Sequence, residues 1–344
     1  MACSKSLTIN VESVEGDMPL DQAIFMSGIN KIIGVRGRWI YKFNSDTGEL
    51  EASGRWCTGA NGVASMAAIG STLYVSGYAT SIRRVTGNFP YTSDALEVVR
   101  FNTSSMETDL VISDISNYAG FNYNPNTNPG FRDMISVDNY LVFTTYADIV
   151  SVDPTDVAGT WDGFSNFQQY TSFSDISHNA SLDLICQTRA NNQELYWYDS
   201  SDIAGGSTNA SAYSDPHPTD SSSFCACGTT MSSANSCGYS VEGRGNFIKH
   251  DLSQFGTGLI PTRRLSILDT DATPVRIKCS PLNGKIYVPC GRTDTVYVFD
   301  PVAYASDETP GTPLTGFDDP IDVVFTGSKA FAVQNGRVGL KEIV

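Results

Sequence analysis

The chain has 344 residues, with 22 Lys+Arg against 37 Asp+Glu for a formal charge of −15, and 41% of it is apolar. This is the profile of an acidic, soluble globular chain, and it argues against duplex nucleic acid as a partner, because phosphates are bound by cationic surface. No run approaches the ~18 uninterrupted apolar residues of a membrane-spanning helix, and the opening MACSKSLTINVES lacks the apolar stretch of a secretory signal, so an unprocessed chain made in a cytoplasm is expected.

In chain order, residues 7–13, LTINVES, alternate Leu7, Ile9 and Val11 with polar neighbours, the pattern of a half-buried strand. A strand-turn-strand grammar then begins at KIIGVRGRWIYKFN (31–44). It recurs at TLYVSGY with ALEVVRFN (72–78, 95–102), YLVFTTYADIVSVD (140–153), LDLICQT with ELYWYD (182–188, 194–199) and GYSVEGRGNFIKHD (238–251). The clearest copy is NGKIYVPCGRTDTVYVFDP (283–301), which reads as a strand (285–290), a tight turn (291–294) and a second strand (295–299) ended by Asp300-Pro301. A seventh copy, KAFAVQNGRVGLKEIV, runs over 329–344.

Asn44, Asn102, Asp153, Asp199, Asp251 and Asp300 end the second strand of successive copies at intervals of 58, 51, 46, 52 and 49 residues. Asp and Asn suit that place because their side chains bond the backbone two residues on and open a turn. Each hairpin is also preceded by an apolar segment: AIFMSG, VASMAAI, RDMISV, SFSDIS, TTMSS, VRIKC and IDVVF. In the first copy another strand, ELEAS, follows the turn 45–48. A period of this size signals a repeat architecture. Each unit therefore comprises about four strands, and seven such units arranged radially make an all-β, seven-bladed β-propeller. The last unit stops after its third strand, so residues 1–14 are expected to supply the strand that closes the ring; the alternative is a free N-terminal arm. The whole of 1–344 is then a single domain.

The copy NGKIYVPCGRTDTVYVFDP resembles the YVTN-type seven-bladed propellers, and YKFNSDTGELEAS in the first unit resembles the strand-turn-strand of quinoprotein-like propellers. The resemblance implies an architecture and leaves activity open.

Segments 79–94, 103–131 and 200–236 exceed what a propeller needs. The last is Ser/Thr/Gly/Asn-rich and reads either as a partner-contacting loop or as a passive surface excursion. The eight cysteines form no compact framework and read as free thiols. Cys225, Cys227 and Cys237 with His217 match no common zinc spacing. His178 is read as following the inner strand of the fourth unit and His250 as ending a third strand, both structural. No nucleophile elbow, metalloprotease helix or P-loop occurs, and neither a metal nor a cofactor is expected.

The turns between the second and third strands of the units share one face of a propeller. They carry Arg36, Arg38, Arg83, Arg84, Arg189, Arg244, Arg292 and Arg337, eight of the protein's 14 Arg residues. Such a gathering of cations on an acidic molecule suits an acidic partner or an anionic ligand. The same residues could instead clamp one blade to a carboxylate of the next. The expected function is a non-enzymatic binding or assembly module that meets other structural protein chains. Only 8 residues of 344 are Lys, and with the Ser/Thr/Asn/Gly-rich composition this looks like a phage-tail or virion-surface propeller. The alternatives are a sugar-lactone hydrolase of the YVTN-like group, against which stands the lack of a His/Arg/Glu set on the inner strands, and a cellular interaction scaffold, whose repeated Trp-Asp and Gly-His signatures are missing.

Overall fold

The computed structural model describes residues 19–56, 63–79, 95–114, 133–144, 149–155, 163–164, 173–189, 195–203, 212–214, 226–242, 246–265, 268, 276–309, 311, 313–336 and 338–343. Alternation of β-branched and aromatic residues, bounded by Asx and Gly turns, builds them into antiparallel meanders. The first comprises Gln22–Met26 (β1), Lys31–Arg36 (β2), Trp39–Asn44 (β3) and Leu50–Arg55 (β4). The second comprises Val63–Ile69 (β5), Thr72–Ala79 (β6), Ala95–Asn102 (β7) and Glu107–Asp114 (β8). A single parallel pair, Arg55 with Glu107, joins these two into one eight-stranded sheet.

Three four-stranded sheets follow. They are Asp133–Val137 (β9), Tyr140–Thr144 (β10), Ile149–Val152 (β11) and Gly163–Phe164 (β12); then Phe173–Asn179 (β13), Leu184–Arg189 (β14), Leu195–Asp199 (β15) and Ala212–Ser214 (β16); then Ala226–Ser232 (β17), Cys237–Glu242 (β18), Asn246–Asp251 (β19) and Thr262–Leu265 (β20). Lys278–Cys279 (β21), Ile286–Cys290 (β22) and Thr295–Phe299 (β23) make a three-stranded sheet, to which Leu314 adds one antiparallel bridge at Val296. Pro320–Phe325 (β24), Ala330–Gln334 (β25) and Leu340–Ile343 (β26) make the last.

The apolar segments that precede the hairpins in sequence are the first strands of these meanders: β1, β5, β9, β13, β17, β21 and β24. The described cores lie between neighbouring meanders. Met26, Ile33 and Trp56 of the first meander pack with Met66, Val75 and Phe101 of the second, and Tyr239 and Phe247 of the fifth with Val288 and Phe299 of the sixth. The succession returns on itself, since Leu20, Ile32 and Phe43 share a core with Val324, Phe331 and Val333 of the last sheet. The Leu20 amide also donates to the Gln334 carbonyl at 2.9 Å. Residues 7–13, the expected closing strand, lie outside the described residues.

The turn chemistry read from the sequence is present. Asn44, Asn102, Asp153, Asp199 and Asp251 each accept, through their Oδ1, from the amide two residues on, at 2.8–3.2 Å. The turns between first and second strands carry a second mark, a residue in the left-handed region: Asn30, Asp138, Asp183 and Ser236 have φ of 50–55°. The segment 200–236 is not one excursion, because β16 and the N-terminal part of the fifth meander, β17, fall within it; likewise β8 falls within 103–131. Gly238 on β18 packs directly under the indole of Trp197, a fully buried residue of β15, and a Cβ there would overlap the ring. Gly238→Ala is expected to cost about 1–3 kcal/mol by overpacking, seen as a fall of several degrees in thermal denaturation.

Candidate functional site: the central cavity and the Arg-bearing turns

The first strands enclose a cavity of about 410 Å³, lined by side chains of β1, β5, β9, β13, β17 and β21 and by Arg276 just before β21. A belt of polar bonds runs from strand to strand around it. The Gln22 amide group donates to Ser65 Oγ at 3.4 Å, and its oxygen accepts from the Met66 amide at 3.0 Å. Ser65 donates to Asp133 Oδ1 at 2.6 Å and accepts from the Met134 amide at 2.9 Å. Asp175 Oδ2 accepts from the amide and hydroxyl of Thr229 at 2.7 and 3.1 Å, while Ser177 and Thr229 share a hydrogen bond of 2.9 Å. Thr230 Oγ1 accepts from the Cys279 amide at 2.9 Å, and Lys278 pairs with Asp322 at 2.9 Å.

Arg276 stands over the two buried carboxylates, its Nη1 3.5 Å from Asp133 and 4.0 Å from Asp175. Burial drives the Asp175 carboxyl pKa well above the usual carboxylate range; the neighbouring Asp133 charge adds to this and Arg276 opposes it. His178 also lines the cavity, and burial lowers its imidazole pKa. It lies within β13, not after it as the sequence grammar placed it. The inner strands thus do carry a charged constellation, Asp133, Asp175, Arg276 and His178, that spacing along the chain did not reveal: each member sits in a different repeat or beside an ordinary strand pattern. His250 keeps the structural role expected of it. It is fully buried, shares a 2.9 Å hydrogen bond with Ser240 and lies 5.5 Å from the Trp197 ring, and burial pushes its pKa down to about 3.

Of the sequence-predicted Arg residues, Arg83, Arg84, Arg244 and Arg337 lie outside the described residues. Arg189 ends β14, but its side chain is not among those described. Arg36 is engaged within the chain: it pairs with Asp21 and donates to Asn335 Oδ1 of the last meander at 2.6 Å. Asn335 in turn donates to Asp319 at 3.0 Å, and the Asp319 amide donates to Asp294 at 2.9 Å, so one network ties the sixth, seventh and first meanders together on this face. Arg292 is exposed, while Arg38 is half-buried. Cys225 and His217 lie outside the described residues; Cys237 is a buried free thiol, its pKa raised to about 11 mainly by burial.

No protein-family model matches the sequence, and none of the curated proteins does. Solved structures do match. A chain of the mitotic checkpoint complex superimposes with a TM-score of 0.65 at 12% identity, over 94% of this chain and 86% of that one. The β-propeller domain of Myceliophteria thermophila Cps50 (Swd1) gives 0.65 at 8% identity, over 94% and 97%. The chain has a β-propeller fold. U3-55K gives 0.62 at 8% identity, over 92% and 88%, and such identities speak for the propeller architecture alone. Among the described residues no helix is long and apolar enough to cross a membrane.

Proposed function

We propose that this propeller has seven four-stranded blades, closed by residues 1–14 on the last one, and works without chemistry of its own as a protein-binding module of a larger assembly. The observation that carries this reading is the polar belt. The two cavity carboxylates and the guanidinium between them are engaged in holding blade to blade: Asp133 by Ser65 and Arg276, Asp175 by Thr229 and Arg276. A nucleophile with an adjacent free base is not assembled from them. Propellers serve in protein complexes, as the mitotic checkpoint neighbour illustrates. The low-Lys, Ser/Thr/Asn/Gly-rich composition extends the proposal to a structural component of a virion or phage tail made in a host cytoplasm. For that extension composition is the sole support.

The second reading, a sugar-lactone hydrolase, is favoured by one observation: two carboxylates, one with a raised pKa, an Arg and a His face a single cavity large enough for a small ligand. Purified protein assayed with a panel of sugar lactones separates the two. The binding-module reading expects hydrolysis at the buffer rate, unchanged in Asp133→Asn. Robust turnover abolished by that substitution would overturn it in favour of the hydrolase.

A further inference from the structure

In a chain of charge −15 carboxylates are plentiful, and many of the described basic side chains pair with one. Lys31 meets Glu51, Arg36 meets Asp21, Arg100 meets Asp109, Arg263 meets Asp307 and Lys329 meets Glu342. Among the guanidiniums of the described residues, those of Arg38, Arg55 and Arg264 have no such partner; Arg264 donates to Asn246 Oδ1 at 3.0 Å instead, and the other two are neighbours. Arg55, exposed at the end of β4, lies over the ring of Trp39 with its carbon 4.3 Å from the ring centroid. It does so although Glu107, an exposed carboxylate, stands opposite it in the parallel pair of β4 and β8. Arg38, in the turn before β3, is half-buried and forms no ion pair with a described residue. Its carbonyl accepts from the Trp56 amide at 3.2 Å, which ties its backbone to the end of β4 beside Arg55. The Trp56 indole in turn donates to the Gly37 carbonyl at 3.0 Å, so a fully buried side chain fixes this corner of the first blade.

The patch therefore presents two guanidiniums with no ion-pair partner among the described residues, on a pinned backbone and flanking a half-exposed indole. Arg and Trp are the residue types that dominate binding energy at protein interfaces, and a planar guanidinium is shaped for a bidentate carboxylate. We propose that Arg38, Trp39 and Arg55 form a docking site for an acidic peptide segment of a partner protein, one carboxylate taken by the guanidiniums and a neighbouring side chain laid on the indole. This rests on the binding-module reading above and names the partner's chemistry. A peptide fits better than a nucleic acid. Affinity for a polyphosphate grows with the number of phosphates contacted; two guanidiniums neutralise few of them, and the net charge of −15 repels the rest.

Fluorescence anisotropy tests this with a labelled peptide of Glu and Asp around one Tyr, its Gln/Asn counterpart, and a short oligothymidylate, each titrated with the whole chain at low salt. The acidic peptide should bind, weaken as salt is raised, and weaken about tenfold in each of Arg38→Ala and Arg55→Ala, the loss of one charge-assisted contact. The melting temperature should stay within a degree or two, since neither Arg holds an ion pair with a described residue. Trp39→Phe should keep part of the affinity. No binding by the intact protein, equal binding of the Gln/Asn peptide, or affinity unchanged in the double Arg variant overturns the proposal. Oligothymidylate binding as tight as the acidic peptide overturns it in favour of phosphate. Any of these, with lactone turnover still nil, leaves the binding-module reading standing; turnover lost in Asp133→Asn removes both.

Discussion

Lys249→Met is expected to destabilise the propeller by about 3–5 kcal/mol, although the change removes a charge and adds an apolar side chain of similar length. Lys249 on β19 and Glu308 are both fully buried, with Nζ 2.7 Å from Oε1. The ammonium also donates to the carbonyls of Ala303 and Ser306 at 2.9 and 3.1 Å, so all three of its hydrogens are used. These acceptors belong to the connection after β23, which the ammonium straps onto the fifth meander. Tyr239 donates to the same carboxylate oxygen at 3.0 Å and receives from Asn235 at 2.8 Å, and burial raises the Tyr239 phenol pKa, so it stays a donor. Without Lys249, Glu308 is a carboxylate in an apolar wall with one hydroxyl for company, since its other oxygen has no partner in the structure. At ~2 °C per kcal/mol for a chain of this size, the melting temperature should fall by about 5–10 °C. Lys249→Met/Glu308→Gln removes both charges and should recover more than half of that loss; a double variant no better than the single one would mean that packing, not the uncompensated charge, carries the cost.

That pair also shows where the sequence stops being readable. The strands and turns are local matters: NGKIYVPCGRTDTVYVFDP declares β22 and β23 by alternation, and the Asx residues at strand ends perform the turn bonds that their chemistry predicts. The inner segments are legible for the same reason, as apolar runs ahead of each hairpin. Partnerships between repeats are another matter. In NFIKHD nothing marks Lys249 as a residue whose charge is fully buried, yet it is. Its charge is met by Glu308, in the connection after β23, while His250, read as structural, bonds a hydroxyl on the adjacent strand. Asp133 and Asp175 stand within RDMISV and SFSDIS as ordinary polar residues, and Arg276 precedes β21 in the same unremarkable way. Only closing the ring brings the three together. Arg36 fits both sequence readings until its ion pair with Asp21 and its bond to Asn335 are seen. Side-chain charge is local information, whereas its neutralising partner is set by topology.

The largest effect of pH is expected at that inner junction. Arg276→Met leaves the carboxylates of Asp133 and Asp175 facing each other without the guanidinium that stands 3.5 and 4.0 Å from them, and Asp322 nearby adds a third negative charge. Stripping the cation from buried anions should cost about 3–5 kcal/mol at neutral pH. The native pair already has a pH signature. Because burial and Asp133 raise the Asp175 pKa above its unfolded value, the folded state holds a proton that the unfolded chain releases. Stability must then fall as pH rises from the ordinary carboxylate range through the raised folded pKa, and level off above it. Asp175→Asn keeps an oxygen to accept from Thr229 and never ionises. It should therefore match the intact protein below the usual carboxylate pKa and exceed it increasingly as pH rises toward the raised folded pKa of Asp175. Asp175→Ala instead strands the buried Thr229 amide and should lose about 1–3 kcal/mol at every pH. Thermal melts of the four proteins from pH 4 to pH 8 read all of this at once. In Arg276→Met the deficit should shrink toward acid, where a proton on Asp175 relieves the loss of the cation; a deficit independent of pH would show that Arg276 acts by filling space, with no role for its charge.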